Sequence, residues 1–280
     1  MSKSTPHVTV DAKLLDALTE MVSQAAAAIL AFVPSRVATR RKTDQSPVTE
    51  ADEAADHVIA EGLERLLPGF PTISEERCTD APALSEYASF ALIDPLDGTR
   101  EFLAGRDEFT VNVAILDRGR PIAGLIAVPA RQLLYRAIVG IGAERLRLTP
   151  GDGPSRAHDV VPIHCRPAPA DGLVAAVSRS HLDQASTDFL ARFPNTQLMS
   201  VGSSVKFCWL AEGTADLYPR LTPIFAWDIA AGHAVLAAAG GTVLTPQGAE
   251  LSYGRGPDGD FRVPGFIAWG DKTLLASAPS

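Results

Sequence analysis

Cysteine is scarce: Cys78, Cys165 and Cys208 are the only three in 280 residues, far apart and without a CxxC pair. That spacing suits neither a disulfide scaffold nor a cysteine zinc site, and it predicts reduced thiols in a cytoplasmic protein. Long apolar runs are lacking too. The longest, Ala25 to Val33, is closed by Pro34 and falls well short of the ~20 residues that span a bilayer. The amino-terminal MSKSTPHVTVDAK has no apolar signal-peptide core. Nothing in these features decides between a free protein and one resting on the cytoplasmic face of a membrane. Positive charge is also short, with 25 Lys and Arg against 33 Asp and Glu. A general nucleic-acid surface is thereby disfavoured, and an anionic ligand would have to be met by metal or by a few local cations.

What is present is a globular composition, 46% apolar and 21% charged, long enough for one large domain or two modest ones sharing a core. Apolar spacing predicts a helix over 10–33, ended by Pro34, and another over 49–67, capped by Thr49 and stopped by Pro68-Gly69. The period then changes. Phe90 to Ile93 reads as a strand, and Phe109, Val111, Val113 and Ile115 alternate as in a half-buried strand, with Ile122 to Val128 returning antiparallel. Residues 133–137 and 145–148 extend that sheet. The Gly- and Pro-rich stretch Thr149 to Arg156 reads as a linker. Beyond it, strands at 173–177 and 196–201 alternate with helices at 184–193, 204–212 and 228–239, an order that predicts a second α/β unit.

The stretch IDPLDGTREF, Ile93 to Phe102, carries the chemistry: two acids three apart after an apolar strand, then Gly-Thr. A phosphatase of the haloacid-dehalogenase type needs an acid two residues before Asp97, and Pro95 stands there. Metal ligation fits better. Magnesium prefers a shell of carboxylate and other oxygens, and a D-P-L-D turn can aim two carboxylates and a carbonyl into one pocket. Gly98-Thr99 would then begin a helix whose free N–H groups suit a phosphate. Each remaining acid has an ordinary reading when taken singly. Asp94 or Asp97 can form an Asx turn, Glu75-Glu76 a solvated turn, Asp52 a charged first turn and Asp228 an N-cap.

Taken in order, Asp52, Glu75-Glu76, Asp94-Pro95-Leu96-Asp97-Gly98-Thr99 and Trp227-Asp228 resemble the lithium-sensitive, magnesium-dependent inositol monophosphatase superfamily over nearly the whole chain. The strings DPLDGTREF, EFTVNVAILDRGRPIAG, SRSH, GSSVKF and AEGTADLYPR are similar to its 3′(2′),5′-bisphosphate nucleotidase branch. Members of that branch remove the 3′-phosphate of 3′-phosphoadenosine 5′-phosphate to give AMP. Gly140 to Pro169 matches weakly. The resemblance implies a layered αβαβα fold of the α/β class. Residues 1–155 would carry most metal ligands, and residues 156–280 would carry Asp228 and the groups that choose the substrate.

The resemblance also implies a site. Glu75, Asp94 and the Leu96 carbonyl would hold one Mg²⁺, Asp94, Asp97 and Asp228 a second, with a third, weaker ion beside Glu75. Crowded carboxylates need such cations to offset their repulsion, and two ions would clamp phosphate, activate water and stabilise the leaving oxygen. Thr99 would orient the water with Asp52 as its acid partner, Glu75 would assist as base, and Glu76 would stand behind the ligands. Gly98 and Thr99 would offer N–H groups to the phosphate. Ser178, Arg179, Ser203 and Lys206, all in donor-rich turns, are candidates for phosphate or ribose. His233 and the three tryptophans read as packing. Arg220 stands where inositol-specific relatives typically carry an acid, and a guanidinium suits a second phosphate. Inositol monophosphate, fructose 1,6-bisphosphate and a non-catalytic anion sensor are the competing readings. A monomer and a homodimer both stay open.

Overall fold

Asp11 begins the first helix by accepting the Leu14 N–H on its side chain, and α1 (Ala12–Leu30) turns Leu18, Met21, Val22, Ala25 and Ile29 inward. The computed structural model describes residues 8–41, 47–80, 89–180, 182–254 and 260–276. Two short strands, β1 (Thr39–Arg41) and β2 (Pro47–Thr49), pair before α2 (Glu50–Leu66). Thr49 caps α2 in a capping box with Asp52.

Seven strands then form one sheet: β3 (Thr72–Ser74), β4 (Ser89–Asp97), β5 (Thr110–Asp117), β6 (Arg120–Val128), β7 (Leu133–Ile138), β8 (Gly142–Arg147) and β9 (His158–Ile163), in that spatial order. The short helix α3 (Thr99–Leu103) lies between β4 and β5. The second sheet has five strands in the order β11-β10-β12-β16-β14. Its chain order is β10 (Val174–Ser178), α4 (Gln184–Leu190), β11 (Gln197–Val201), α5 (Val205–Ala211), β12 (Leu217–Arg220), the small strand β13 (Ile224–Phe225), α6 (Ala230–Ala238), β14 (Thr242–Leu244), β15 (Arg262–Val263) and β16 (Phe266–Trp269). β13 and β15 pair separately.

The strand pleat sorts the core into layers. On β4, Ala91 and Ile93 join the cluster under α1 and α2, while Phe90 and Leu92 join the one under α5 and α6. β5 and β6 divide the same way, Val113 and Leu125 to one side, Ala114 and Ile126 to the other. β10 and β16 send Ala176, Phe266 and Ala268 to that middle core, and Ala175, Val177, Ile267 and Trp269 to a third core with Leu190 of α4. The result is the layered αβαβα order implied by the sequence.

Two expectations change. The strand expected to be half-buried is buried on both faces, because α6 covers the second face of β5 and β6. Gly124 permits that approach: a Cβ there would lie 2.5 Å from the Ala231 carbonyl oxygen. The stretch 149–156 does not separate two sheets. Gly151 N–H donates to the Ser23 carbonyl at 2.9 Å, and β9 beyond it still pairs with β8, so the first sheet runs past residue 155 to Ile163. Among the described residues no helix is long and apolar enough to cross a membrane.

Candidate active site

The pleat of β4 carries the acids to the sheet's edge. Its pairing with β5 shifts register between Asp94 and Asp97, where Pro95-Leu96 forms a bulge, a position that tolerates proline. Asp94 Oδ1 accepts the Leu96 N–H at 3.1 Å, so an Asx turn is present there. Gly98, at φ 90°, turns the chain into α3 in a left-handed conformation that glycine adopts without strain. No side chain caps α3, and none caps α6. Asp228 therefore does not act as the N-cap its position first suggests.

Asp97 is held by two residues of the neighbouring strand β5 and by Ser204 at the start of α5. Its Oδ2 lies 3.0 Å from Ser204 Oγ, 3.3 Å from Asn112 Nδ2 and 3.4 Å from Thr110 Oγ1. Burial first, then the nearby Glu75 charge, raises the Asp97 carboxyl, against the lowering influence of Lys206 and these hydrogen bonds. Asp228 is raised well above the usual carboxylate range by burial and then by the charges of Asp97 and Glu75. One carboxylate oxygen each from Glu75, Asp94 and Asp228 lies within 4.8 Å of the others. Opposite oxygens of a magnesium shell stand about 4.2 Å apart at bonds of about 2.1 Å. The donor set and its spacing fit such an ion after a small closure, and a divalent cation would offset the repulsion among these carboxylates.

Thr99 Oγ1 lies 3.1 Å from Asp52 Oδ1 and 3.2 Å from the Leu96 carbonyl oxygen. Asp52 Oδ2 also accepts the Thr49 N–H at 2.8 Å and the Thr49 hydroxyl at 2.6 Å. Asp52 is thus both a capping residue and the partner of Thr99. Burial raises its carboxyl more than the three hydrogen bonds lower it.

One cleft is lined by Glu75, Asp94, Leu96, Asp97, Gly98, Thr99, Ser178, Ser203, Lys206, Arg220 and Asp228 together. Pro47, Ile224 and Phe225 give it an apolar wall. Lys206 is buried, donates to the Ser203 carbonyl at 2.5 Å, and stands 5.1 Å from the centre of the Tyr218 ring. Burial, with a smaller push from the Arg220 charge and against the raising charge of Asp97, brings its ammonium down to about 8. Arg220 Nε is buried without a hydrogen-bond partner.

Other expected residues are placed differently. Arg179 is not among the cleft-lining residues; its guanidinium is taken up by Glu108 at 2.9 and 2.6 Å. The Ser203 hydroxyl donates to the Glu108 carbonyl oxygen, so only the rest of Ser203 faces the cleft. His181 lies outside the described residues. His233 is packed, 2.8 Å from the Tyr253 hydroxyl, and burial pushes its imidazole down to about 4. Trp227 stacks on Phe225 with ring centres 4.7 Å apart, and Trp269 belongs to the third core.

Sequence reasoning missed the supports. Asp56, one helical turn after Asp52 on α2, accepts the Ser74 hydroxyl at 2.5 Å and Arg77 Nε at 2.8 Å, and so brackets Glu75-Glu76 from both sides. Asn112 and Glu108 are similar cases. Only the i, i+4 spacing of Asp52 and Asp56 was a visible signal, and it reads equally as a solvated face.

The inositol monophosphatase family model matches residues 9–273. The chain is 41% identical over 234 residues to the 3′(2′),5′-bisphosphate nucleotidase CysQ of Salmonella typhimurium, covering 81% of this chain and 86% of that protein. It is 35% identical over 258 residues to the protein of the same name from Buchnera aphidicola, covering 91% and 93%. The crystal structure of CysQ from Bacteroides thetaiotaomicron superimposes with a TM-score of 0.78 at 31% identity, over 94% of this chain and 98% of that one. Acids, cleft, layers and likeness agree: this chain belongs to the inositol monophosphatase family, on its 3′(2′),5′-bisphosphate nucleotidase branch.

Proposed function

We propose that the protein is a magnesium-dependent phosphatase that hydrolyses the 3′-phosphate of 3′-phosphoadenosine 5′-phosphate. Water attacks phosphorus, the bond between phosphorus and the 3′-oxygen breaks, that oxygen takes a proton, and AMP and inorganic phosphate leave. The observation that carries the choice of substrate is the pairing, in one cleft, of an acid cluster with two cations, the buried Lys206 and the half-buried Arg220. A substrate with two phosphates uses both. The likeness to the bisphosphate nucleotidases of Salmonella typhimurium and Buchnera aphidicola supports the same reading.

Glu75, Asp94, Asp97, Asp228 and the Leu96 carbonyl are the groups that would hold two or three magnesium ions. When bound, the ions supply positive charge to the phosphate and acidity to water. The remaining work belongs to the chain. With its proton given to Asp52, Thr99 Oγ1 keeps a lone pair toward the cleft and accepts a hydrogen bond from the attacking water. The raised carboxyl of Asp52 suits it to receive a proton passed through Thr99. Glu75, within reach of the same space, assists as base. The N–H groups of Gly98 and Thr99 hold the reacting phosphate, Ser178 and Ser203 face the ribose, and Arg220 holds the second phosphate.

Phosphate release from 3′-phosphoadenosine 5′-phosphate, inositol monophosphate and fructose 1,6-bisphosphate, with magnesium and with chelator, tests the reading. The bisphosphate nucleotide should be turned over best and only with metal. Preference for inositol monophosphate would overturn it.

A further inference from the structure

Glu108 lies in the segment between α3 and β5. It is only 8% exposed, yet its carboxylate binds two distant segments of chain. Arg179, just past β10, donates to it from Nε at 2.9 Å and from Nη2 at 2.6 Å. The Gly202 N–H, at the start of the turn into α5, donates to it at 2.9 Å. Its own main-chain carbonyl accepts the Ser203 hydroxyl. Burial alone would raise this carboxyl, but the bonds from Arg179 and Gly202 together hold it below the usual range.

Glu101, on α3 and seven residues earlier, repeats the arrangement on a smaller scale. It is buried and accepts the Ser180 hydroxyl at 2.9 Å. Gly202 packs so tightly on it that a Cβ would lie 2.7 Å from Glu101 Cγ. The turn so gripped is one that would not hold itself. Ser203 has φ 46°, a conformation that non-glycine residues avoid, and its carbonyl is bound by Lys206 from the other side. The rim residues Ser178, Ser180, Gly202 and Ser203 therefore hang on the segment that begins with Asp97-Gly98-Thr99.

We infer that Glu108 is a positioning residue for substrate recognition: with Arg179 as its counterpart, it straps the rim of the second sheet to the phosphate-facing turn and sets affinity for the nucleoside part of the substrate. Arg179 acts through Glu108 and not on the ligand. The inference rests on the nucleotide reading for its substrate, but not for its geometry. Two alternatives compete with it. In one, Arg179 is a direct ligand that Glu108 merely holds until substrate binds; in the other, the pair is a stability device without effect on binding.

Steady-state kinetics of Glu108→Gln, Arg179→Ala and the double variant, at saturating magnesium, separate these. A hydrogen bond to a charged group carries enough energy that each single variant should raise KM about tenfold while kcat changes by less than about threefold. The double variant should be no worse than either single one, since both break the same strap. A direct ligand would show instead as a raised KM in Arg179→Ala beside an unchanged or lowered KM in Glu108→Gln, and that result overturns the inference. So does a lowered melting temperature with unaltered KM, or additive losses in the double variant. Arg179→Lys keeps the charge without the two-pronged fork; if Arg179→Ala does not fold, this variant should still raise KM severalfold, and wild-type KM would overturn the proposal. Amide hydrogen exchange at Gly202 in the substrate-free proteins gives a second measurement that needs no substrate. Exchange should be faster in Glu108→Gln, and equal rates would mean the strap does not hold the turn. If wild-type protein prefers another phosphate ester, the nucleotide reading fails, and the same KM comparison with that ester still decides the role of Glu108.

Discussion

The Ser204 hydroxyl lies 3.0 Å from Asp97 Oδ2, a contact between residues 107 positions apart. Ser204 Oγ also stands 2.8 Å from the Asp228 main-chain carbonyl and accepts Asn112 Nδ2 at 2.9 Å. One small side chain thus registers the acid of β4 against the acid before α6. Partners of this kind orient metal ligands, and their loss costs about 10–100-fold in metal affinity. Ser204→Ala should therefore raise the magnesium concentration for half-maximal phosphate release about tenfold. An unchanged magnesium titration would count against this role.

Metal removal should be decisive. Activity should vanish in excess chelator and return with magnesium, since Glu75, Asp94 and Asp228 converge on one point and crowded carboxylates call for a divalent cation. Lithium should inhibit, as in the family's lithium-sensitive members. Full phosphate release in chelator would dispose of the metal reading.

Chemistry and folding should part company at the acids. Asp97→Asn and Asp228→Asn should each lower turnover by orders of magnitude, while the melting temperature without metal holds or rises because like charges are relieved. Near-normal turnover in either variant would remove that residue from the site.

The pH dependence of stability follows from the same crowding. Asp97 and Asp228 have folded-state carboxyls raised above their ordinary value of 3.8, so the native state binds protons more tightly than the unfolded chain. Their contribution to stability is full below 3.8 and is lost as pH rises through the folded values. In chelator, wild-type protein should lose stability over that window relative to the Asp97→Asn, Asp228→Asn double variant. Parallel stability curves from denaturant melts would contradict the assignment.

Arg220 should separate substrates. Arg220→Ala should weaken use of 3′-phosphoadenosine 5′-phosphate by roughly 1.5–3 kcal/mol, the value of a hydrogen bond to a charged group. Hydrolysis of inositol monophosphate, which has no second phosphate to place, should change little. Equal losses on both substrates would show that Arg220 supports the cleft generally.

The layers and the acids were legible in the sequence for different reasons. The long helices announced themselves by apolar spacing and by Thr49 and Pro68 at their ends, and the structure places them within a few residues. The acids were legible only as an ordered set, because each had an ordinary local use; Asp52 in fact keeps that use as well. What escaped was long-range. No local pattern says that the Glu108 carboxylate will be buried against Arg179 71 positions away, or that α6 will cover the second face of β5. Alternation in Phe109 to Ile115 signals one buried face, and the small residue Ala114 carries no mark of the helix that packs on the other. The Gly-rich stretch at 149–156 misled because glycine and proline mark a change of direction, not a boundary between cores.

The middle layer has a consequence for how this protein can be altered. Because α6 seats Ala231 against Gly124 of β6, and β9 completes the first sheet from beyond residue 155, the two halves are not interchangeable parts. A fragment ending at 155 would leave Phe90, Leu92, Ala114 and Ile126 facing water with nothing to cover them. A chimera that borrowed its carboxy-terminal half from a relative with another substrate would have to rebuild that core along with the cleft. Changes of substrate preference are sought instead at cleft-lining side chains that lie outside that core, Arg220 above all.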